Sequence, residues 1–247
     1  VCDDGVTRGI FFFHNPKAGG TSIDRALGSC FHPQDRAPLI ENSQRDHERN
    51  AGDYGRYAGY LYYAGHYGYD IYCQIAAAHA PVTNFRHPAT RLVSLYRFFR
   101  GIAVPPQGAA ERDDLYPVLF AQQVGLHEFI CAEDPRIELY TRDHHVRQLT
   151  ASAWSEGGSR DIAQACDLVD RMPWFYVCEH PGLSQAWADS VFPSLLLRAM
   201  PPISAENRTI LPGREPPLER RTYRAICDRN ELDFRLYDHA TTRLLER

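Results

Sequence analysis

The sequence predicts an α/β domain of three layers, in which a central, mostly parallel sheet is flanked by helices. Two observations carry this: an apolar run followed by helically spaced apolar residues occurs three times, and a Pro- or Gly-containing turn separates run from helix each time. In the first unit Ile10 to Phe13 is the strand, and Ile23, Ala26 and Leu27 fall at helical spacing after Thr21 and Ser22. In the second, Val82 to Phe85 is a short buried strand. Pro88 sits where a first helical turn tolerates it, and Leu92, Val93, Leu95, Tyr96 and Phe99 form a stripe. In the third, Trp174 to Cys178 is strand and Leu183 to Val191 is helix. Strands that alternate with helices pair in parallel, because each helix carries the chain back across the sheet.

Residues 102–116 and 201–217 are rich in Pro, Gly and charge and are predicted to be surface loops rather than domain linkers. The tail from Leu218 onward has apolar residues at Tyr223, Ile226, Leu232, Phe234, Leu236, Tyr237, Leu244 and Leu245, the pattern of one or two amphipathic helices packed on the sheet. With 247 residues, 44% of them hydrophobic and 23% charged, the chain is expected to be one domain spanning 1–247. No internal repeat interrupts it.

A formal charge of -4 without a basic stripe argues against a nucleic-acid partner, since phosphate-backbone affinity needs clustered cations. No window of 18 apolar residues is present, so no membrane span is expected. The N-terminus has no basic segment leading into an apolar one. The chain begins at Val1, which leaves open a removed leader or a longer N-terminal segment. Seven scattered cysteines, without C-x-x-C spacing, are expected to be reduced and mostly buried. Of 27 basic residues only Lys17 is lysine, a bias associated with high-GC bacteria; a soluble, cytoplasmic bacterial protein is the expectation.

The chemistry concentrates after the first strand. Pro16-Lys17-Ala18-Gly19-Gly20-Thr21-Ser22 brings two glycines, two hydroxyls and one ammonium to the start of a helix. That combination suits an anion: glycines let backbone N–H groups close on oxygens, and the helix N-terminus adds positive potential. The lysine precedes the glycines, whereas a nucleotide-hydrolysing P-loop has it after them. The loop is P-loop-like, not a P-loop. The second strand-to-helix junction reads Asn84-Phe85-Arg86-His87-Pro88-Ala89-Thr90-Arg91-Leu92-Val93-Ser94-Leu95-Tyr96.

These two segments resemble the sulfotransferases that use 3'-phosphoadenosine 5'-phosphosulfate (PAPS), in particular the carbohydrate branch of the heparan 2-O-sulfotransferases and their bacterial relatives. The first is similar to their 5'-phosphosulfate loop PKxGGTS, and the second to their 3'-phosphate motif R-x-P-x-x-R-x-x-S-x-Y. The resemblance implies that Pro16 to Ser22 cradle the phosphosulfate, and that Arg86 and Ser94 hold the 3'-phosphate. The spacing suits that role, because a guanidinium at a strand end and a hydroxyl two turns into the next helix can converge on one phosphate. Arg91 is either a further phosphate contact or a brace for the helix. His87 stands where many relatives have Asp. Weaker likenesses lie at Arg147-Gln148-Leu149, at the segment ending on Glu179, and at Leu232-Asp233-Phe234-Arg235-Leu236-Tyr237.

On this resemblance PAPS is the co-substrate and adenosine 3',5'-bisphosphate the product, with Lys17 at the leaving oxygen. The acceptor is a hydroxyl of a carbohydrate or another hydroxylated small molecule. His66, in a Gly-His segment shortly before the second strand, corresponds to the general base of 2-O-sulfotransferase relatives. A histidine is the side chain best suited to take a proton near neutral pH. His14 is expected to be structural or to act behind the site, and His79 lies close to the buried strand. His144 and His145 are adjacent and would point about 100° apart in a helix, so no metal is expected.

Eight of the fourteen tyrosines lie between Tyr54 and Tyr72. They either stack on an acceptor or mark a partly exposed strand, with the strand favoured for most. Glu179 could sit near the acceptor, although a surface or ion-paired role is the ordinary one. Arg208 and Arg214 could close over the nucleotide, and Asn207 to Thr209 match a glycosylation pattern only by spacing. Two other classes compete. A P-loop-type kinase or nucleotide hydrolase is disfavoured by the inverted lysine and by the lack of a clear acidic Mg²⁺ motif. A non-catalytic anion- or glycan-binding relative is disfavoured by the intact Lys17, His66, Arg86 and Ser94.

Overall fold

The computed structural model of the chain describes residues 9–38, 53–104, 115–150, 161–196, 199–204 and 218–247. Four strands, β1 (Ile10–Phe13), β2 (Tyr62–Gly65), β3 (Ala80–Phe85) and β4 (Trp174–Val177), form one all-parallel sheet in the order β2-β1-β3-β4. The predicted strands are present, the third ending at Val177 rather than Cys178. Helices follow each junction: α1 (Gly20–Gly28) after β1, α2 (Tyr69–Ile75) after β2, α3 (Pro88–Gly101) after β3 and, later, α9 (Pro181–Leu196) after β4. Between α3 and β4 lie α4 (Tyr116–Gln123), α5 (Leu126–Cys131), α6 (Pro135–Thr141), α7 (His144–Thr150) and α8 (Ile162–Arg171); α10 (Arg220–Arg229) and α11 (Glu231–Leu245) complete the described helices. The fold is therefore a three-layer α/β domain. None of these helices is long and apolar enough to cross a membrane.

All four side chains of β1 are buried, as a central parallel strand covered on both faces requires. The order of strands has a consequence for the site. From β1 the chain goes to β2 on one side, then crosses to β3 on the other. The loops leaving β1 and β3 therefore diverge and open a crevice at the carboxyl ends of the strands, the place where ligands bind in open parallel sheets.

The eight tyrosines between Tyr54 and Tyr72 belong to the core rather than to an exposed strand. Tyr54, Tyr62, Tyr63, Tyr67 and Tyr72 are buried, and the rings of Tyr63, Tyr67 and Tyr72 pack within 5.7 Å of Phe11. The expectation of mostly buried cysteines also fails. Of the six described cysteines, all free, only Cys30 is buried, while Cys73 and Cys131 are exposed.

The tail forms two helices, but only one joins the sheet core. α11 inserts Leu236, Ala240 and Leu244 there, whereas Ile226 of α10 joins a second apolar cluster with Leu92, Phe99, Phe129 and Ile137 of the helical layer. Tyr223 and Leu245, which fit the apolar stripe by spacing, point to solvent. α7 and α11 cap each other. The Asp143 carboxylate accepts from the backbone N–H groups of Leu232 and Asp233 at 3.1 and 3.3 Å, and Asp233 accepts from His145 and Val146 at 3.2 and 2.9 Å. Each acid satisfies the open donors of the other's helix. Arg91 is buried beside both acids, whose charges offset its own, and donates to the Tyr140 carbonyl at 3.2 Å. It braces α3, as one of the two readings had it. The weak family-like stretches around Arg147 and Asp233 thus serve packing: Arg147 donates to the carbonyls of Glu138 and Leu139 at the end of α6. Most of the predicted loops, including Asn207, Arg208, Thr209 and Arg214, lies outside the described residues.

Candidate functional site

A cleft of about 710 Å³ opens at the β1/β3 switch point. Of the residues singled out from the sequence, Pro16, Lys17, Gly19, Gly20, Thr21, Ser22, His66, Arg86, Ser94 and Glu179 line it, and so does His14, which was expected behind the site. Ala18 does not; its methyl is fully buried behind the loop. Segments some 70 residues apart thus converge on one space.

The loop after β1 owes its shape to backbone conformations that most residues avoid. Lys17 has φ 66° and Gly19 φ 79°, in the left-handed region that is free for glycine and costs other residues about 1 kcal/mol or more. A strained non-glycine residue persists only where its surroundings hold it. Asn84, fully buried on β3, provides that hold. Its carboxamide oxygen accepts from the Asn15 N–H at 2.8 Å, and its nitrogen donates to the carbonyls of Asn15 at 3.1 Å and Ala18 at 2.7 Å. Arg86 adds a further tie, donating to the Lys17 carbonyl at 3.1 Å and to the Thr90 hydroxyl at 3.2 Å. Gly19 is the N-cap of α1 and brings no side chain to cap it, and Gly20, Thr21 and Ser22 of the first turn line the cleft.

Gly20 is required for a different reason. A Cβ there would lie 1.9 Å from Cδ2 and 2.0 Å from Nε2 of His14. The His14 ring cannot step aside, because it stacks on Phe12 at 5.5 Å and meets His66 edge-on at 4.8 Å. Gly20→Ala is expected to destabilise by about 1–3 kcal/mol, the usual cost of overpacking, and to disturb the histidine pair; thermal unfolding beside wild type measures it.

Burial, and then the His66 and Lys17 charges, hold His14 down to about 3; burial and Lys17 hold His66 down to about 4. Both rings are neutral at pH 7, the form that can accept a proton. The Lys17 ammonium is also lowered from its ordinary value, first by burial and then by Arg86.

The opposite wall comes from α3 and β4. Arg97 and Phe98 follow Ser94 on the same helix face, and Tyr176, Cys178 and Glu179 arrive from β4 and its end. Glu179 is exposed, as the surface reading had it, and lines the cleft. It accepts from the His87 backbone N–H at 3.0 Å and from the Tyr237 hydroxyl at 3.1 Å, so it caps α3 and fixes the turn that presents Arg86. Burial, then Glu179, pushes the Cys178 thiol up to about 12, which leaves it protonated and a poor nucleophile. Of the competing histidines, His79 bonds the Tyr60 carbonyl through Nε2 at 2.8 Å, and His144 and His145 are buried in α7.

Sequence reasoning missed Asn84 as the clamp of the loop, although an amide side chain inside a buried strand was its signal. It also missed Phe98, Tyr176 and Cys178, which sequence alone cannot separate from core residues. No protein-family model matches the chain, and comparison with curated proteins gives no significant match.

Proposed function

We propose that the chain is a sulfotransferase that moves a sulfuryl group from PAPS to a hydroxyl of a carbohydrate or another hydroxylated small molecule. The observation that carries this reading is the meeting, in one cleft at the strand switch point, of the loop Pro16 to Ser22, the pair Arg86 and Ser94, and His66. An anionic donor with phosphate at one end and phosphosulfate at the other suits two basic, hydroxyl-bearing walls joined through the Arg86 contact to the Lys17 carbonyl.

In the proposed reaction the acceptor oxygen attacks sulfur in line as the bond from sulfur to the bridging oxygen of the 5'-phosphate breaks. The acceptor proton passes to His66, and the negative charge that develops on the departing bisphosphate is met by Lys17 and the loop N–H groups. His66 is a weak base with burial and the Lys17 charge acting on it. A bound donor brings negative charge beside Lys17, which offsets one cause of the lowered value and raises His66 toward its working range.

Adenosine 3',5'-bisphosphate at about 100 times its Kd is expected to stabilise the chain by about 2.7 kcal/mol, a rise of roughly 5–10 °C in Tm for a domain of this size. Differential scanning calorimetry reads this directly. A shift with ATP and Mg²⁺ but none with the bisphosphate would overturn the proposal in favour of a kinase or hydrolase.

A further inference from the structure

Phe98 is a large apolar side chain that the core does not use. On α3, Leu92, Leu95 and Phe99 are buried, while Phe98 is 47% exposed and faces the cleft one turn after Ser94. The Lys17 ammonium lies 4.1 Å from the centre of its ring, well inside the range of about 6 Å over which an aromatic face attracts a cation. The Arg86 charge acts on Lys17, and the Lys17 charge in turn acts on His14 and His66. Among the described residues no carboxylate pairs with the ammonium. The Glu179 carboxylate lines the same cleft but makes no ion pair with the ammonium, and the ring face is the electron-rich surface on which it rests. The main chain beneath is fixed as well, through the Arg86 bond to the Lys17 carbonyl.

We propose that Phe98 is a positioning residue for Lys17. Its ring holds the ammonium across the cleft, between the loop after β1 and the helix wall that carries Ser94. The charge then stands in place before a donor enters, and transfer does not have to wait for a long flexible side chain to be ordered. The consequence for turnover rests on the sulfuryl-transfer reading; the place of the ammonium does not. The competing role for Phe98, a wall that only contacts substrate, would affect binding and leave the chemical step alone.

Lys17 is the only lysine in the chain, so protein labelled with ¹³C at lysine Cε gives a single Cε–Hε signal. In wild type that signal is expected upfield of its ordinary position through the ring current of Phe98. It should stay upfield in Phe98→Tyr and return to the ordinary position in Phe98→Leu. In transfer assays Phe98→Leu should lower kcat by about 5- to 30-fold, the loss that corresponds to a partly desolvated cation–π contact. The KM for PAPS should not change, and Phe98→Tyr should restore the rate. Phe98→Leu should add little on top of Lys17→Ala, as expected when one residue acts through the other. An ordinary Lys17 signal in wild type, or a Phe98→Leu variant altered only in KM, overturns the proposal. Wild type that transfers no sulfuryl group overturns the functional reading instead, and the labelled lysine still decides the Phe98 contact.

Discussion

Lys17→Ala is expected to lower kcat for sulfuryl transfer by about 10²–10³-fold, the loss found when one donor to a developing negative charge is removed. Affinity for adenosine 3',5'-bisphosphate should weaken far less. The asymmetry follows from where the ammonium sits. On the proposed reading the loop at the start of α1 and the Arg86 and Ser94 side chains, which line the same cleft, share the phosphates in the ground state, so the lysine is one contact among several. In the transition state the charge collects on one bridging oxygen, and the ammonium is the group proposed to face it. An interaction made only there appears in kcat and not in KM. Stability should hold, because alanine meets the same backbone strain at φ 66° that lysine already bears, and Asn84 continues to hold the loop. Lys17→Arg should not restore the rate: a planar guanidinium cannot place a compact point charge against the Phe98 ring and the bridging oxygen in the same way. Steady-state kinetics with PAPS and calorimetric titration of the bisphosphate separate the two effects. Equal losses in both would mean that Lys17 is a binding residue only.

What the sequence carried and what it hid divide along a physical line. Pro16 to Ser22 and Arg86 to Ser94 are each contiguous strand-to-helix turns, and the chemistry of such a turn is written in adjacent residues: glycine for backbone approach, a hydroxyl and a cation for the ligand. Parallel pairing followed from the alternation of strands and helices, and it brings the two turns side by side. The holding contacts were hidden because they span the fold. Asn84 acts on Asn15 and Ala18 from more than 60 positions away, and the exchange of caps between Asp143 and Asp233 spans 90. The helices from α4 to α7 escaped for another reason. Each has eight residues or fewer, too few for a 3.6-residue period to declare itself. Local signals such as Pro117 and Pro135 near helix starts, and Asp134 as an N-cap that accepts from the Arg136 N–H, were the available evidence.

The chain is expected to lose stability steeply as pH falls below about 6.5. Four histidines are held neutral by burial: His145 and His14 at about 3, His66 at about 4, and His144 well below its ordinary value. Two of them donate to protein oxygens, bonds the protonated ring would make as well, so it is burial that keeps them neutral. The Thr83 hydroxyl hydrogen is engaged with the Phe13 carbonyl at 2.8 Å, so the 3.0 Å contact to His145 needs the hydrogen on Nε2; His144 Nδ1 donates to the Leu139 carbonyl at 2.9 Å. The unfolded chain protonates these rings near pH 6.5 while the folded chain does not, so the unfolded state binds more protons and stability falls with pH throughout that window. Each ring contributes a slope of up to about 1.4 kcal/mol per pH unit. Counting only the fully buried His144 and His145, roughly 3 kcal/mol is lost per unit, against a total stability on the order of 5–15 kcal/mol. Asp233 opposes this, since burial raises its carboxyl and favours the folded state as pH falls, but it is one group against four. Asp134, lowered to about 2 by its bond from Arg136, adds to the loss only below its ordinary range. Urea midpoints measured at half-unit steps from pH 7 to pH 5 should fall steadily. His145→Asn should flatten the slope by about one proton's worth, although losing the ring beside Phe85 lowers stability at every pH. Midpoints that stay level to pH 5 would mean that these rings can be protonated without unfolding the chain, and that burial at β3 and α7 is looser than their contacts require.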